Sequence, residues 1–432
     1  MVKTMKTKLS RRFWTALVLF GLVGQIAWVV ENMYLNVFIY KMFSASAADI
    51  SLMVSASAVA ATLTTVLIGA LSDKIGKRKI FICAGYILWG ISIFAFVLLR
   101  TEVIEAIFPL AISASAIGVS LTIALDCIMT FFGSSANDAA FNAWLTDSAT
   151  SDTRGAAEGV NAMMPLVAIL AVFGGFMAFD LDLASSWVWI FTIIGALMLI
   201  VGVFGFFIIE DKGTPSETGY LKNVIYGFLP STIKGNPTLY FYLAAFIIFN
   251  ISIQIFMPYL IIYYEVSLKM ANYVLIMAPA IILASAVTAF FGRFYDKKGF
   301  DRSIFFSLLW LILGYAILII FRSTVPVFVG SLLMMCGYLS GMAVFGAKIR
   351  DLIPENKAGM MQGVRIFSQV LVPGIVGPFI SKCVLADAEM ITNNDGTRSF
   401  IPNESIFVCA LITAVILAAI LIIHKTTKRK EA

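Results

Sequence analysis

Long apolar runs alternate with short charged turns along this chain, and the alternation predicts a series of membrane-spanning helices. A helix needs about 20 apolar residues to cross a bilayer, whereas a barrel strand needs only about ten. Backbone groups in lipid must be hydrogen-bonded within the protein, so only helices or closed barrels can span. The runs are too long for barrel strands, and we predict twelve spanning helices, at about 13–40, 49–72, 79–99, 116–146, 157–179, 186–209, 238–264, 270–294, 303–322, 325–349, 359–384 and 405–424.

Composition agrees with a membrane protein, and the distribution of charge sets its orientation. Of the 432 residues, 60% are hydrophobic and only 13% are charged. Basic residues are concentrated in the turns on one side, which the positive-inside rule identifies as the cytoplasmic side. This distribution of basic residues predicts a multi-pass plasma-membrane protein with both termini in the cytoplasm, and it argues against the nucleic-acid partner that a net charge of +6 would suggest. Six of the 31 Lys and Arg are predicted to lie off the cytoplasmic side, namely Lys41, Arg100, Lys269, Arg322, Lys382 and Arg398.

The charged turn after the second run occurs again 223 positions later. The shared pattern is Gly, three residues, Asp-Lys, one residue, Gly. A second match, around Asp147 and Asp351, has an offset of 204. Such repeats predict two halves built on one plan. The first copy of the turn comprises Gly69, Asp73, Lys74, Gly76, Lys77 and Arg78, and the second comprises Gly292, Asp296, Lys297 and Gly299.

This repeated turn resembles the loop between the second and third helices of major facilitator superfamily transporters. The resemblance implies the major facilitator fold, an all-α membrane protein of twelve helices in two pseudo-symmetric six-helix bundles. In that family the Asp caps a neighbouring helix and the basic residues pair across the halves, which latches the cytoplasmic gate. The second copy departs from the basic cluster of the first, since it continues as Phe300-Asp301-Arg302.

The predicted domains follow from the runs and the repeat. They are a cytoplasmic N-terminal segment at 1–12, a six-helix bundle at 13–209, a cytoplasmic linker at 210–237, a second bundle at 238–424 and a cytoplasmic tail at 425–432. The part of the linker at 220–229 is either an amphipathic helix on the inner surface or a flexible tether.

Polar residues inside the spans are the candidates for a binding site, because polar groups at membrane depth face protein or water. At 100° per residue, a narrow face of the first span contains Gln25, Trp28, Asn32 and Asn36, with Glu31 at its edge. An arc of the fourth span contains Asp126, Thr130, Ser134, Asn137, Asp138 and Phe141. The substrate-binding candidates are Gln25, Trp28, Asn32, Asn137, Asp138, Asn250, Gln254, Tyr338 and Gln369. About half of the amides are expected to be interhelical hydrogen bonds instead.

The segment at 137–147 of the fourth span, Asn-Asp-Ala-Ala-Phe-Asn-Ala-Trp-Leu-Thr-Asp, resembles the glycoside–pentoside–hexuronide cation symporters, the melibiose-permease group. The resemblance implies that Asp138 binds sugar and takes part in coupling. Those symporters place aspartates for sodium in the second helix, where this chain has none, so a proton is the expected coupling ion. Its predicted carrier is Asp138 or Glu31. Asp126 is a third candidate, and the alternative for it is a structural hydrogen bond.

The sequence therefore predicts a secondary transporter that imports a sugar or glycoside with a proton or cation by alternating access. An exporter of drugs or metabolites is the first alternative, although Gly174-Gly175 in the fifth span lacks the following Pro found in drug–proton antiporters. A non-transporting receptor is the second. We predict no enzyme, cofactor or metal site, because the sequence shows no nucleotide loop and His424 is its only histidine. The expected partners are the solute, the proton or sodium, and membrane lipid, and a monomer is expected.

Overall fold

The computed structural model describes residues 9–109, 113–149, 151–211, 225–270, 272–353, 358–393 and 396–431. The rest, which includes most of the predicted N-terminal segment, 212–224 of the predicted linker and the last residue of the tail, lies outside the described residues. Eleven described helices are long and apolar enough to cross a membrane. They are α1 Arg11–Phe43, α2 Ala47–Ile75, α3 Arg78–Leu98, α5 Ala114–Ser148, α6 Ser151–Phe176, α7 Ala184–Ile208, α9 Pro237–Ser267, α10 Val274–Ile320, α11 Thr324–Leu352, α12 Gly363–Val384 and α13 Ser405–Glu431. Two short helices, α4 Thr101–Ile107 and α8 Pro230–Gly235, lie between them.

Helix α10 contains two spans and brings the number to the predicted twelve. Its 47 residues would extend about 70 Å at 1.5 Å per residue, more than twice the apolar thickness of a bilayer. Gly299 interrupts the helix with φ 73° and ψ −180°, a left-handed conformation that favours glycine. Gly76, the matching glycine of the first turn copy, has φ 70°. The final glycine of the repeated pattern is therefore required by the backbone.

Four spans contain a π-helical turn, which adds one residue to a turn of the helix. The turns lie at Val30–Tyr34 in α1, Ser134–Phe141 in α5, Tyr263–Ser267 in α9 and Phe367–Leu371 in α12. Each extra residue rotates the side chains beyond it away from the face that a regular α-helix would give them. The assignment of residues to faces at 100° per residue therefore fails beyond these points.

The described structure divides into two compact units. The first unit contains Met1–Phe43 and Val59–Val224, and the second contains Ser44–Ala58 and Ile225–Ala432. The segment Ser44–Ala58, which includes the first part of α2, thus groups with the second half of the chain. Its contacts there include the Tyr259 hydroxyl, which donates to the Ala47 carbonyl at 2.9 Å, and the Ser55 hydroxyl, which donates to the Gly374 carbonyl at 3.2 Å.

A two-stranded antiparallel hairpin, β1 Met390–Thr392 and β2 Arg398–Phe400, lies between α12 and α13. The twelve-helix prediction did not include it. A signal is present in the sequence, because Asp395-Gly396 is a typical hairpin turn pair. Gly396 has φ 82°. In a chain dominated by apolar helices, a hairpin of three-residue strands has too little periodicity to be recognised.

Candidate functional site

The clearest polar site in the first unit joins α1 to the π-helical turn of α5. The Asp138 carboxylate accepts a hydrogen bond from the Ser134 hydroxyl at 3.1 Å, one turn earlier in α5. The indole of Trp28 lies beside the same carboxylate. Its ring also packs against Trp89 of α3, with 5.0 Å between centroids. Asp138 and Trp28 are both half-buried, so a carboxyl group and an aromatic ring are partly exposed next to each other.

Gln25 lies one turn before Trp28 on α1 and is also half-buried. Its side chain makes no hydrogen bond to another described residue. A half-buried amide without a protein partner keeps both its donor and its acceptor for a ligand. The structure therefore brings Trp28 and Asp138 together, with Gln25 one turn away from Trp28 on the same helix.

A second polar cluster in the first unit is fully buried. Glu31 is 6% exposed and Asp126 is 2% exposed, on α1 and α5 respectively. Thr130 connects them, because its hydroxyl oxygen lies 2.8 Å from Glu31 Oε1 and 2.8 Å from the Asp126 backbone carbonyl. The two carboxyl groups are close enough to interact electrostatically. Asp126 Oδ1 has no hydrogen-bond partner among the described residues.

Asn137 lies in an interhelical contact. Its amide donates to the Tyr86 hydroxyl at 2.7 Å, and that hydroxyl donates to the Phe20 carbonyl at 2.6 Å. This relay joins α5, α3 and α1. Gly24 makes the close approach possible, since a Cβ there would overlap the side chains of Asn137 and Tyr86. The role of Asn137 in substrate binding stays a prediction.

The predicted α1 face is divided by the π-helical turn at Val30–Tyr34. Asn32 is exposed, and its amide donates to the Trp28 carbonyl at 2.8 Å. Asn36, predicted on the same face, is 1% exposed, and its amide donates to the Asn32 carbonyl at 2.9 Å. Asn36 is therefore buried in the packing of the first unit, and its place on a lining face stays a prediction.

The four candidates of the second unit differ in exposure. Asn250 is 5% exposed, and its amide donates to the Phe246 carbonyl at 2.8 Å, within its own helix. Gln254, Tyr338 and Gln369 are half-buried. Among the described residues, none of these three side chains has a hydrogen-bond partner. Gln369 lies in the π-helical turn of α12, as Asp138 lies in that of α5.

The first copy of the repeated turn is organised by Arg78, whose side chain is 7% exposed. Its guanidinium contacts the Asp73 carboxylate at 2.5 Å, the Asp147 carboxylate at 3.1 Å and the Ser72 hydroxyl at 2.7 Å. Its backbone N–H donates to the Asp211 carboxylate at 2.9 Å. Asp73 was expected to cap a helix. Among the described residues it pairs with Arg78 instead, and Asp211 caps α3.

The second copy of the turn uses different partners at matching positions. Tyr295 corresponds to Ser72 at the offset of 223, and its hydroxyl donates to the Asp351 carboxylate at 2.8 Å. Asp351 itself matches Asp147 at the offset of 204. In both halves this aspartate is thus bound by the repeated turn. Asp296 is exposed, and it makes no ion pair or hydrogen bond within the described residues.

The residues that connect these clusters were not among the predicted site residues. Tyr86 and Thr130 carry the interhelical contacts of the first unit, and Tyr295 carries that of the second turn. Thr130 is on the predicted α5 arc, but a threonine in an apolar helix is too common to indicate a link between two acids. Nothing in the local sequence distinguishes Tyr86 or Tyr295 from other aromatic residues.

Comparisons with known proteins agree with the architecture. A sequence model described as the Major Facilitator Superfamily matches residues 13–378. Comparison with curated protein sequences gave no significant match. Among solved structures, the nucleoside transporter NupG is similar with a TM-score of 0.71 and 12% identity, covering 96% of this chain and 98% of that one. An inward-facing, unoccupied bacterial homologue of the human lysosomal transporter Spinster has a TM-score of 0.70 and 15% identity, covering 98% and 99%. At these identities the likeness shows the fold alone.

Proposed function

We propose that this chain, which belongs to the major facilitator superfamily and is a membrane transporter, carries a sugar or glycoside together with a proton. Transporters of two related halves bind the solute near the midplane and expose it to each side in turn. The two copies of the repeated turn, at 69–78 and 292–299, which contact Asp147 and Asp351, are the proposed cytoplasmic gating elements. The basic turns support a plasma-membrane topology with both termini inside.

The observation that carries the sugar proposal is the half-buried carboxylate of Asp138 beside the indole of Trp28. A sugar presents hydroxyl donors around its edge and C–H groups on its faces. A carboxylate accepts hydrogen bonds from hydroxyls, and an aromatic ring packs on the apolar face. Gln25 would supply a further donor and acceptor. The resemblance of the segment around Asp138 to the melibiose-permease group points in the same direction.

The proposed proton site is the buried pair Glu31 and Asp126 with Thr130 between them. The Thr130 hydroxyl has one hydrogen, yet its oxygen lies 2.8 Å from two acceptors, the Asp126 carbonyl and Glu31 Oε1. If the Glu31 carboxyl group carried a proton, it would donate to Thr130 while the Thr130 hydroxyl donates to the Asp126 carbonyl. Two charged carboxylates in this apolar position would also repel each other. A single proton shared by the pair would remove this repulsion, which is why we propose the pair as the proton site.

Asp138 and the buried pair belong to the same two helices, α1 and α5. Trp28 is one turn before Glu31, and Asp126 is three turns before Asp138 in sequence. A change in how α1 packs on α5 would therefore act on both sites. This shared support is the proposed basis of coupling, and Asp138 remains a further candidate for the proton.

The test is uptake into liposomes that contain the purified protein and have an imposed pH gradient, alkaline inside. Labelled monosaccharides, glycosides and nucleosides are offered one at a time, since a nucleoside is an N-glycoside and NupG is a nucleoside transporter. The proposal expects gradient-dependent accumulation of at least one glycoside and its loss in Trp28→Ala. Accumulation only of lipophilic cations, under the opposite gradient, would replace the proposal with an exporter.

A further inference from the structure

The second unit contains an apolar cleft of about 540 Å³, away from the residues discussed above. It lies between α9, the second span of α10 and α13. Its floor consists of buried residues, Tyr242, Phe300, Ile304 and Leu308. Its outer wall includes exposed apolar side chains such as Phe305 and Ile422.

Between the matching helices of the first unit, α1, α3 and α7, described residues line a much smaller pocket of about 40 Å³, and glycine explains the closer packing there. Helices α3 and α7 are the third and sixth spans of the first unit. Helix α3 corresponds to the second span of α10, and α7 corresponds to α13. Gly202 of α7 lies so close to α3 that a Cβ would be 2.9 Å from the Ile87 nitrogen, and at Gly90 of α3 a Cβ would be 2.8 Å from the Gly195 carbonyl. Such small residues allow close helix contact.

Helix α13 contains no glycine. The one glycine in the second span of α10, Gly314, faces α11, because a Cβ there would contact Met334. The second pair of helices therefore lacks the residues that bring the first pair together. The cleft is a consequence of this sequence difference between the two halves.

The mouth of the cleft is basic. Arg302 and Lys425 line it together with Asp301. Lys425 pairs with Asp301 at 3.3 Å, whereas Arg302 makes no ion pair among the described residues. Helix α13 continues past Lys425 to Glu431, and its sequence adds Lys428, Arg429 and Lys430. An apolar cleft with an excess of positive charge at one end matches a molecule with an anionic head and a hydrocarbon chain.

We propose that this cleft binds an anionic phospholipid, with an acyl chain along Ile304 and Leu308 and the phosphate at Arg302 and Lys425. Basic pockets between spanning helices on the cytoplasmic side are suited to anionic headgroups. A free phosphate would use the cations but leave the apolar floor without a ligand. An uncharged lipid would use the floor but leave Arg302 without a counter-ion.

Native mass spectrometry of the full-length protein tests this, with phosphatidylglycerol and phosphatidylcholine supplied in equal amounts. The proposal expects one phosphatidylglycerol to be retained in preference to phosphatidylcholine. Arg302→Gln should weaken this binding about fivefold, the effect of one basic residue near a membrane surface. Lys234→Gln removes an exposed cation of α8, outside the cleft, and should leave it unchanged. Equal retention of the two lipids, or equal losses in the two variants, would overturn the proposal.

A second pair of variants tests the apolar part. Ala418→Trp places a large ring in the cleft, and Ala419→Trp places the same ring on the neighbouring exposed position of α13. Only the first should reduce phosphatidylglycerol retention, and matched melting temperatures would show that both variants are folded. Competition by inorganic phosphate is the third arm. Displacement of the lipid by phosphate alone, or no effect of Ala418→Trp, would contradict an acyl-chain site.

Discussion

Arg78 connects three parts of the first unit through one buried guanidinium. Its planar group has donors on several sides, and it contacts Asp73, Asp147 and Ser72 simultaneously. The sequence indicated that this turn is basic and repeated. It did not indicate which of the adjacent cations Lys77 and Arg78 is buried. The direction of the backbone after Gly76 decides this, because it turns the Arg78 side chain inward.

Removal of the Arg78 side chain should destabilise the protein more than removal of an exposed cation. Arg78→Ala leaves two carboxylates of the cluster without their partner, and we expect a loss of about 2–4 kcal/mol in the free energy of unfolding. Arg12 pairs with Glu210 at 3.7 Å and is 69% exposed, so Arg12→Gln should change it by less than about 1 kcal/mol. Thermal unfolding in detergent measures both. Equal melting temperatures for the two variants would show that the cluster is not structural.

Asp138 should act on substrate affinity through its charge. Asp138→Asn keeps the shape of the side chain but replaces the charged acceptor, and a hydrogen bond to a charged group contributes about 1.5–3 kcal/mol. We therefore expect KM for the transported glycoside to rise roughly 10- to 100-fold. Asn142→Ala, on the same helix at an exposed position, is the matched control. An unchanged KM in Asp138→Asn would remove this residue from the binding site.

At the scale of the helices, π-helical turns limit what periodicity can predict. The spans, the inner turns and most polar positions follow from hydropathy and repeat spacing. Residues beyond a π-helical turn do not, because the extra residue leaves no local sequence signal. Asn36, two residues beyond such a turn, is buried, whereas Asn32 within the turn is exposed. Gly299, in contrast, could be recognised from the sequence, because the repeated spacing within the chain marks it. Its positive φ explains why glycine is needed there.

The contact among α1, α3 and α5 can be tested at Gly24. A methyl group in Gly24→Ala would overlap the hydrogen-bonded pair Asn137 and Tyr86, and overpacking with loss of these bonds should cost about 2–4 kcal/mol. Gly174 in α6 has no described atom near its Cβ position. Gly174→Ala should therefore be neutral or stabilise by up to about 1 kcal/mol. Thermal melting distinguishes them, and a Gly24→Ala variant as stable as the parent would contradict the relay.

At the scale of the whole molecule, the two halves share a plan but differ in polarity at matching positions. Arg78 of the first turn corresponds to Asp301 of the second. Arg78 lies near Asp211 at the end of the sixth span, and Asp301 pairs with Lys425 at the end of the twelfth. The contact to Asp211 is made by the Arg78 backbone N–H, whereas Asp301 and Lys425 form an ion pair between side chains. A sequence repeat reveals the plan, whereas these different contacts become visible only once the partners are located in space.

The proposed topology places α8 in the cytoplasm and α4 outside. In a cysteine-free background, Lys234→Cys should react with an impermeant maleimide only after the membrane is opened. Glu102→Cys should react in intact cells. Both positions are exposed. The same labelling behaviour at the two positions would rule out the predicted number of spans between them.

The central claim is that a substrate bound at Asp138 and Trp28 is transported together with a proton carried by the buried pair of α1 and α5, Glu31 and Asp126. The most direct measurement follows the pH inside liposomes, with no imposed gradient, when a glycoside that the protein transports is added outside. The account predicts acidification with the parent protein. In Glu31→Gln it predicts no pH change but continued exchange of labelled for unlabelled glycoside, because substrate binding at Asp138 and Trp28 is intact. Uptake of the glycoside by the parent protein without any pH change would contradict proton coupling.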